Sequence, residues 1–205
     1  MQALAYNSVA PAETQKLFES LGENPRSPSA EVFEGTQVRH ASLMKGQVWR
    51  LITPMFIHFG PMHLVFNMVW LFQLGRLIEN RYGTFYFGVL VLFTAALSTF
   101  AQCAVPEGID GSVPSFVNGH LITLCGGMSG VVFGLLGFVW VKSSMDPQSR
   151  MFMPSSTVMF MLGYLFFCMT PIAEQTIFAN VANWAHGIGL LAGLAAGYFM
   201  TLLGK

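Results

Sequence analysis

The hydrophobic residues of this chain are gathered into five long runs that few charged residues interrupt. Each run approaches or reaches the length that a helix needs to cross a hydrocarbon layer of about 30 Å. Five such runs in so short a chain are poorly explained as buried helices of a soluble protein. The pattern therefore predicts an all-α polytopic membrane protein with five visible transmembrane helices. They are expected at Pro61–Ile78, Phe85–Val105, Met128–Val141, Ser155–Pro171 and Ala179–Leu203.

Basic residues between these runs predict the orientation of the chain. The basic residues at the ends of the first, third and fifth runs are Arg76, Arg81, Lys142, Arg150 and Lys205. The connections at residues 106–126 and 172–178 contain neither Lys nor Arg. Because cytoplasmic loops are enriched in Lys and Arg, the bare connections are predicted to lie outside. The N-terminal segment 1–47 is then extracytoplasmic as well.

Composition narrows the possible partners. Hydrophobic residues make up 53% of the chain and charged residues 10%, with a formal net charge of zero, so a nucleic-acid partner is not expected. The three cysteines show no CxxC spacing, which argues against a metal site. The lipid bilayer is the expected surrounding, and the oligomeric state is left open.

Four polar side chains fall at one predicted depth, a little below the outer surface. Ser129 lies near the outer end of the third run, and His186 lies about two turns inside the fifth. His63 and Asn67, near the outer end of the first run, share a helical face because they are four residues apart. Polar groups are costly in hydrocarbon, so those that remain there are candidates for a functional site.

Two stripes of glycine flank the serine and the histidine. Small residues at four-residue spacing let membrane helices approach closely. If the two stripes face each other, Ser129 and His186 meet at the outer end of that interface; the alternative is ordinary helix packing with an incidental histidine. The stripes are Gly126, Gly130 and Gly134 around the serine, and Gly189, Gly193 and Gly197 after the histidine.

These residue types fit nucleophilic catalysis. A serine hydroxyl needs a base to take its proton, and a neutral imidazole titrates near the working pH. No carboxylate falls at the same depth, which predicts a Ser129–His186 dyad with Phe133 packed on the imidazole. Candidate donors to an oxyanion are the backbone N–H of Ser129 and the side chains of His63 and Asn67.

Five short motifs in a fixed order resemble a known family. They are Trp49-Arg50, His58 through Asn67, Glu79-Asn80-Arg81-Tyr82-Gly83, Gly127-Met128-Ser129-Gly130, and His186 followed by Gly189 and Gly193. The chain is similar to the rhomboid intramembrane serine proteases over Val48–Leu203, and most similar to the bacterial type. In two respects it departs from them: no apolar helix is visible ahead of Val48, and Phe133 stands where many relatives have tyrosine.

The resemblance implies a function and a setting. It implies an intramembrane serine endopeptidase that cleaves membrane proteins in or near their transmembrane segments, without a metal or organic cofactor. Residues 48–205 would form the protease core, after a segment 1–47 that includes the start of the first loop. Supporting roles fall to Gly127, Gly130, Phe133, Gly189, Gly193, Trp49 and Arg50.

The same resemblance implies a multi-pass protein of the bacterial inner membrane, with its active site toward the extracytoplasmic side. Its partners would be transmembrane protein substrates and the bilayer. Two other functions stay open from the sequence. One is a catalytically inactive rhomboid-like protein that binds membrane clients, and the other is a small channel or transporter.

Overall fold

The structure is a computed structural model. It describes residues 46–104, 126–170, 172–173 and 182–204, and the backbone of 113–117 and 120–124. Nearly all of the predicted N-terminal segment 1–47 lies outside the described residues. So do Val105, Pro171 and residues 179–181, which were expected at the ends of three predicted transmembrane helices.

Helices dominate the described residues, as the apolar runs predict. The four α-helices are α1 (Pro61–Ala104), α2 (Ser129–Met145), α3 (Ser155–Cys168) and α4 (Asn183–Leu203). Short 3-10 helices cover Val48–Leu51, Thr53–Phe56 and Pro147–Ser149. The all-α prediction missed one antiparallel hairpin, formed by β1 (Val113–Val117) and β2 (His120–Leu124).

The first two predicted transmembrane helices are joined in α1 rather than separated by a loop. The break between them is Gly83, whose φ of 83° and ψ of 163° are open essentially to glycine alone. The Thr84 hydroxyl donates a hydrogen bond of 2.7 Å to the Glu79 carboxylate across this break. Residues 61–82 and 84–104 therefore form two helical halves with a single-residue kink between them.

Length and composition mark α1 and α4 as helices that could cross a membrane. The other two, α2 and α3, are apolar but shorter, with 17 and 14 residues. The described structure is therefore a helical bundle with two clear candidate spans, and the predicted count of five is not established by it. The difference arises partly because the kinked α1 is a single long helix.

The core of the bundle is α2. Every residue from Gly130 to Val139 is buried, as expected of a helix that is apolar on all sides and surrounded by other helices. It packs on α4 and on the second half of α1, whereas α3 contacts the other described helices sparsely. By contrast, α1 and α3 expose large apolar side chains: Phe66, Phe72, Phe85, Phe93, Phe100, Met159, Phe160 and Phe166.

A buried lysine lies in the last turn of α2. This helix ends at Met145, past the predicted end at Val141. Lys142 is 2% exposed, forms an ion pair with Asp146, and lies 5.7 Å from the centre of the Tyr82 ring. The Ser149 hydroxyl donates to the Asp146 carbonyl at 2.7 Å. From the sequence alone, Lys142 is only a loop charge that indicates orientation. In the structure, the Lys142 side chain holds the turn after α2 against α1.

The ion pair predicts a steeper loss of stability in acid. The Lys142 ammonium, hydrogen-bonded to the Asp146 carboxylate, holds the pKa of that carboxyl below its usual value. Such a group stabilises the fold above its unfolded pKa of about 4, and the contribution is lost as pH falls through the folded-state pKa. As the pH is lowered below about 4, the unfolding temperature of the wild type should fall more steeply than that of Asp146→Asn. Equal acid slopes for the two proteins would contradict this role.

Candidate active site

The serine and the histidine predicted to form a dyad are in hydrogen-bond contact. Ser129 is the first residue of α2, and His186 is the fourth residue of α4. The distance from His186 Nε2 to Ser129 Oγ is 2.6 Å. The imidazole is 2% exposed, and its ring centre lies 4.8 Å from that of Phe133. Packing on an aromatic ring therefore orients the imidazole.

The surroundings of the other ring nitrogen of His186 show whether a third residue joins the Ser129–His186 pair. Among the residues that the structure describes, the buried Nδ1 atom has no hydrogen-bond partner. If Nε2 accepts the Ser129 hydroxyl proton, the neutral ring carries its own hydrogen on Nδ1. The arrangement is a two-residue one, without a carboxylate against the imidazole in the described part of the chain. That part also holds no group of three or more His, Cys, Asp or Glu side chains able to bind a metal ion.

Backbone contact over glycine brings α2 and α4 together. A Cβ atom built on Gly193 would overlap the carbonyl group of Gly134, and one on Gly189 would overlap that of Gly130. A Cβ on Gly197 would lie 2.9 Å from the Phe138 carbonyl oxygen. No side chain larger than hydrogen fits at these positions without moving a helix. The two stripes thus face each other, with Ser129 and His186 at their N-terminal end.

One predicted member of the stripes is misplaced. Gly126 does not face α4, because a Cβ there would lie 2.7 Å from Ile57 Cβ and 3.0 Å from the Pro54 carbonyl oxygen. Gly137 takes part instead, since its Cβ would lie 2.5 Å from the Leu190 carbonyl oxygen. The helix begins only at Ser129, so four-residue spacing does not carry a helical face back to residue 126.

Gly127 opens space beside the Ser129 hydroxyl. Its φ of 125° is a conformation that favours glycine. A Cβ on Gly127 would lie 3.0 Å from His63 Nε2 and 3.6 Å from Ser129 Oγ. The imidazole edge of His63 and the Ser129 hydroxyl therefore lie on either side of the space that a Gly127 side chain would occupy. The Gly127 amide donates to the Pro54 carbonyl at 3.0 Å, which fixes this turn to the Thr53–Phe56 helix.

His63 and Asn67 differ in how available their donors are. His63 Nδ1 lies 3.4 Å from the Phe59 amide, a long contact that favours the ring form with hydrogen on Nε2. Asn67 is 5% exposed, and its amide nitrogen donates to the His63 carbonyl at 2.9 Å. One of the two Asn67 amide hydrogens is therefore already bonded within its own helix.

The first-loop pair predicted to support the site lies at the surface. Trp49 and Arg50 belong to the 3-10 helix Val48–Leu51, and both side chains are exposed. The structure does not bring them to the dyad. From the same loop, Pro54 and Ile57 reach the turn before Ser129 instead.

Three polar residues on the second half of α1 were missed by the sequence reasoning. Thr94, Ser98 and Gln102 are each at most 4% exposed and recur every four residues. Ser98 and Thr94 meet the positions that a Cβ on Gly130 or Gly134 would occupy. Gln102 Oε1 accepts a hydrogen bond of 3.1 Å from the Ala185 amide. The sequence did contain a signal for these residues, since they recur every four positions within an apolar run. Polar residues in such a run are candidates for a functional site.

A small cavity of about 30 Å³ lies beside the dyad. It is bordered by Ser129, Ser98 and Gln102, together with the first-loop residues Pro54 and Met55. It is large enough to hold a water molecule. The polar groups of the site are therefore gathered at one end of the helix bundle, around the start of α2.

Comparison with known proteins identifies the family. Residues 45–202 match the family model of the rhomboid domain. Rhomboid protease GlpG of Salmonella paratyphi A is 33% identical over 162 residues, which are 78% of this chain and 51% of the relative. Rhomboid protease GlpG of Klebsiella pneumoniae strain 342 is 34% identical over 159 residues, with the same shares. The chain therefore belongs to the rhomboid family, and it spans about half the length of the curated relatives it matches.

The glycine contacts predict which substitution the interface tolerates least. Gly193→Ala should cost about 3 kcal/mol, at the upper end for overpacking, because a backbone carbonyl cannot rotate away. Gly163→Ala on α3 is the matched control, since a Cβ there meets nothing within 4 Å. Thermal unfolding in detergent should show a clear fall for the first variant and none for the second. If both variants unfold like the wild type, the helices are not in backbone contact.

Proposed function

We propose that this chain is an intramembrane serine endopeptidase that hydrolyses peptide bonds in or near transmembrane segments of membrane proteins. The observation that carries the proposal is the 2.6 Å contact between His186 Nε2 and Ser129 Oγ. This distance lies within the range for proton transfer between a nucleophile and its base. Membership of the rhomboid family, whose matched relatives are named proteases, supports the same reaction class.

The first half of the reaction uses both members of the dyad. His186 Nε2 takes the hydroxyl proton of Ser129 as Oγ attacks the carbonyl carbon of the scissile bond. The carbonyl oxygen gains the negative charge of the tetrahedral intermediate. Its proposed donors are the Ser129 backbone N–H, which has no intrahelical acceptor at the first residue of α2, and His63 Nε2–H beside Gly127. The third is the Asn67 amide hydrogen that is not bonded to the His63 carbonyl. The intermediate collapses when the imidazolium gives its proton to the leaving amine, which frees the amine and leaves an acyl ester on Ser129.

The second half regenerates the enzyme. Water gives a proton to His186 Nε2 and attacks the acyl carbonyl, and the new intermediate expels Ser129 Oγ, which recovers the proton. No external oxidant, reductant or metal is needed for this balance. Phe133, 4.8 Å from the imidazole, keeps the ring in one orientation through both halves. It does so by packing, in place of the carboxylate that orients histidine in a triad.

The setting proposed for this chemistry is a bilayer crossed five times. Each half of α1 contains about 20 residues, long enough for about 30 Å of hydrocarbon, and large apolar side chains cover its surface. The bare connections and the basic ends support an orientation in which Ser129 lies toward the extracytoplasmic side. The membrane proposed is a bacterial inner membrane. Transmembrane protein substrates would reach the dyad from within the bilayer.

The proposal predicts complete loss of cleavage when either member of the dyad is removed. Purified protein in liposomes, given a fluorescent single-span substrate, should cleave it. Ser129→Ala, His186→Ala and the double variant should be equally inactive, because nucleophile and base act as a unit. Ser144→Ala, which removes an exposed serine at the other end of α2, is the control and should keep wild-type turnover. A wild type that binds the substrate without cleaving it would favour an inactive client-binding protein.

The two side-chain donors should differ in their effect on turnover. His63→Ala should lower kcat by about a hundredfold with little change in KM, as expected for one oxyanion donor. Asn67→Ala should lower kcat by a smaller factor, because one of its amide hydrogens is bonded to the His63 carbonyl. Asn80→Ala, an exposed asparagine far along the same helix, is the control. A larger loss for Asn67→Ala than for His63→Ala would reverse the assignment.

A further inference from the structure

Gln102 links the second half of α1 to the helix that carries His186. Its side chain is 1% exposed, and Oε1 accepts a hydrogen bond of 3.1 Å from the backbone amide of Ala185. Ala185 directly precedes His186 in the first turn of α4. A buried polar side chain at this point reaches the backbone of the helix immediately beside the base.

The first turn of α4 needs such an acceptor. The first N–H groups of a helix have no intrahelical partner, and they are usually satisfied by the side chain of the preceding residue. The residue before α4 is Ala182, which makes no side-chain cap. Gln102 is 83 positions away in the chain, and it supplies the acceptor that the local sequence lacks.

The glycine interface makes this tether more important. Contact over Gly189 and Gly193 sets how close α4 comes to α2. Glycine faces have few protruding side chains, so they do little to stop α4 from sliding along its axis relative to α2. The Ser129–His186 contact depends on that axial register, because Ser129 lies in the first turn of α2 and His186 in the first turn of α4. A hydrogen bond at Ala185 restrains the register where it matters. Asn183 adds a second restraint by donating a hydrogen bond of 2.9 Å to the Cys168 carbonyl at the end of α3.

We propose that Gln102 is a positioning residue that holds the first turn of α4 in the register needed for the contact between His186 Nε2 and Ser129 Oγ. It acts through the backbone of Ala185 and takes no part in proton transfer. The proposal rests on the proposed function for its catalytic consequence. Its structural consequence, a protected Ala185 amide, is independent of activity.

Three variants of the full chain test the proposal. Gln102→Met keeps the length of the side chain and removes the acceptor. Gln102→Glu keeps an acceptor oxygen in either protonation state. Leu74→Ala, at a buried position on the first half of α1, is the control for lost stability without a change at the dyad.

The catalytic readouts are kcat, KM and the rate at which a fluorophosphonate labels Ser129. Gln102→Met should lower kcat and the labelling rate by about tenfold to a hundredfold, as a displacement near 1 Å does, with KM almost unchanged. Labelling needs no attacking water, so its loss reports the dyad geometry and not the supply of water from the neighbouring cavity. Gln102→Glu should recover most of both rates. Leu74→Ala should lower the unfolding temperature and leave both rates near those of the wild type.

Amide hydrogen exchange tests the tether even if the chain proves to cleave nothing. The Ala185 amide should exchange faster in Gln102→Met than in the wild type, and Gln102→Glu should restore its protection. Equal protection in all three proteins would overturn the proposal whatever the cleavage assay shows. A wild-type labelling rate in Gln102→Met would overturn it as well. Absence of cleavage and labelling in the wild type, with the expected exchange pattern, would remove the proposed function and leave the tether standing.

Discussion

The backbone contact between α2 and α4 is the constraint on which the rest of the structure depends. Gly130 and Gly134 on one helix leave no room for a Cβ on Gly189 or Gly193 of the other. This closeness brings Ser129 Oγ within 2.6 Å of His186 Nε2, although the two side chains are short. In a bilayer, where apolar helices gain little by leaving lipid for one another, close packing of small residues is the main source of such association.

The two ends of α2 use polar groups for different purposes. At the N-terminal end, Ser129 is hydrogen-bonded to His186 and borders the cavity that Gln102 also lines, so the polar groups there form the candidate active site. At the C-terminal end, the buried Lys142 is matched by Asp146, so its charge holds the turn after the helix. A buried charge without such a partner would be costly, which is why the acidic residue lies one turn away.

The first loop and the second half of α1 complete the site from outside the α2–α4 pair. The Pro54 carbonyl accepts a hydrogen bond from the Gly127 amide and so fixes the turn that precedes Ser129. Ser98 and Gln102 fill the remaining side of the junction with polar groups. Two segments distant in the chain from α2 and α4 therefore help to fix the positions of Ser129 and His186.

The sequence by itself determined the helical class and the positions of the apolar runs, and it predicted Ser129, His186, His63 and Asn67 as the candidate site. It could do so because hydrophobic periodicity and the cost of polar groups in hydrocarbon are local properties of a chain. It did not determine that Gly126 turns toward the first loop, that residues 61–104 form one kinked helix, that residues 113–117 pair with residues 120–124, or that Lys142 is buried. Those features depend on contacts between residues far apart in the chain. The link from Gln102 to Ala185 is the clearest case, because only the packed bundle brings a side chain on α1 to an amide that its own helix leaves without an acceptor.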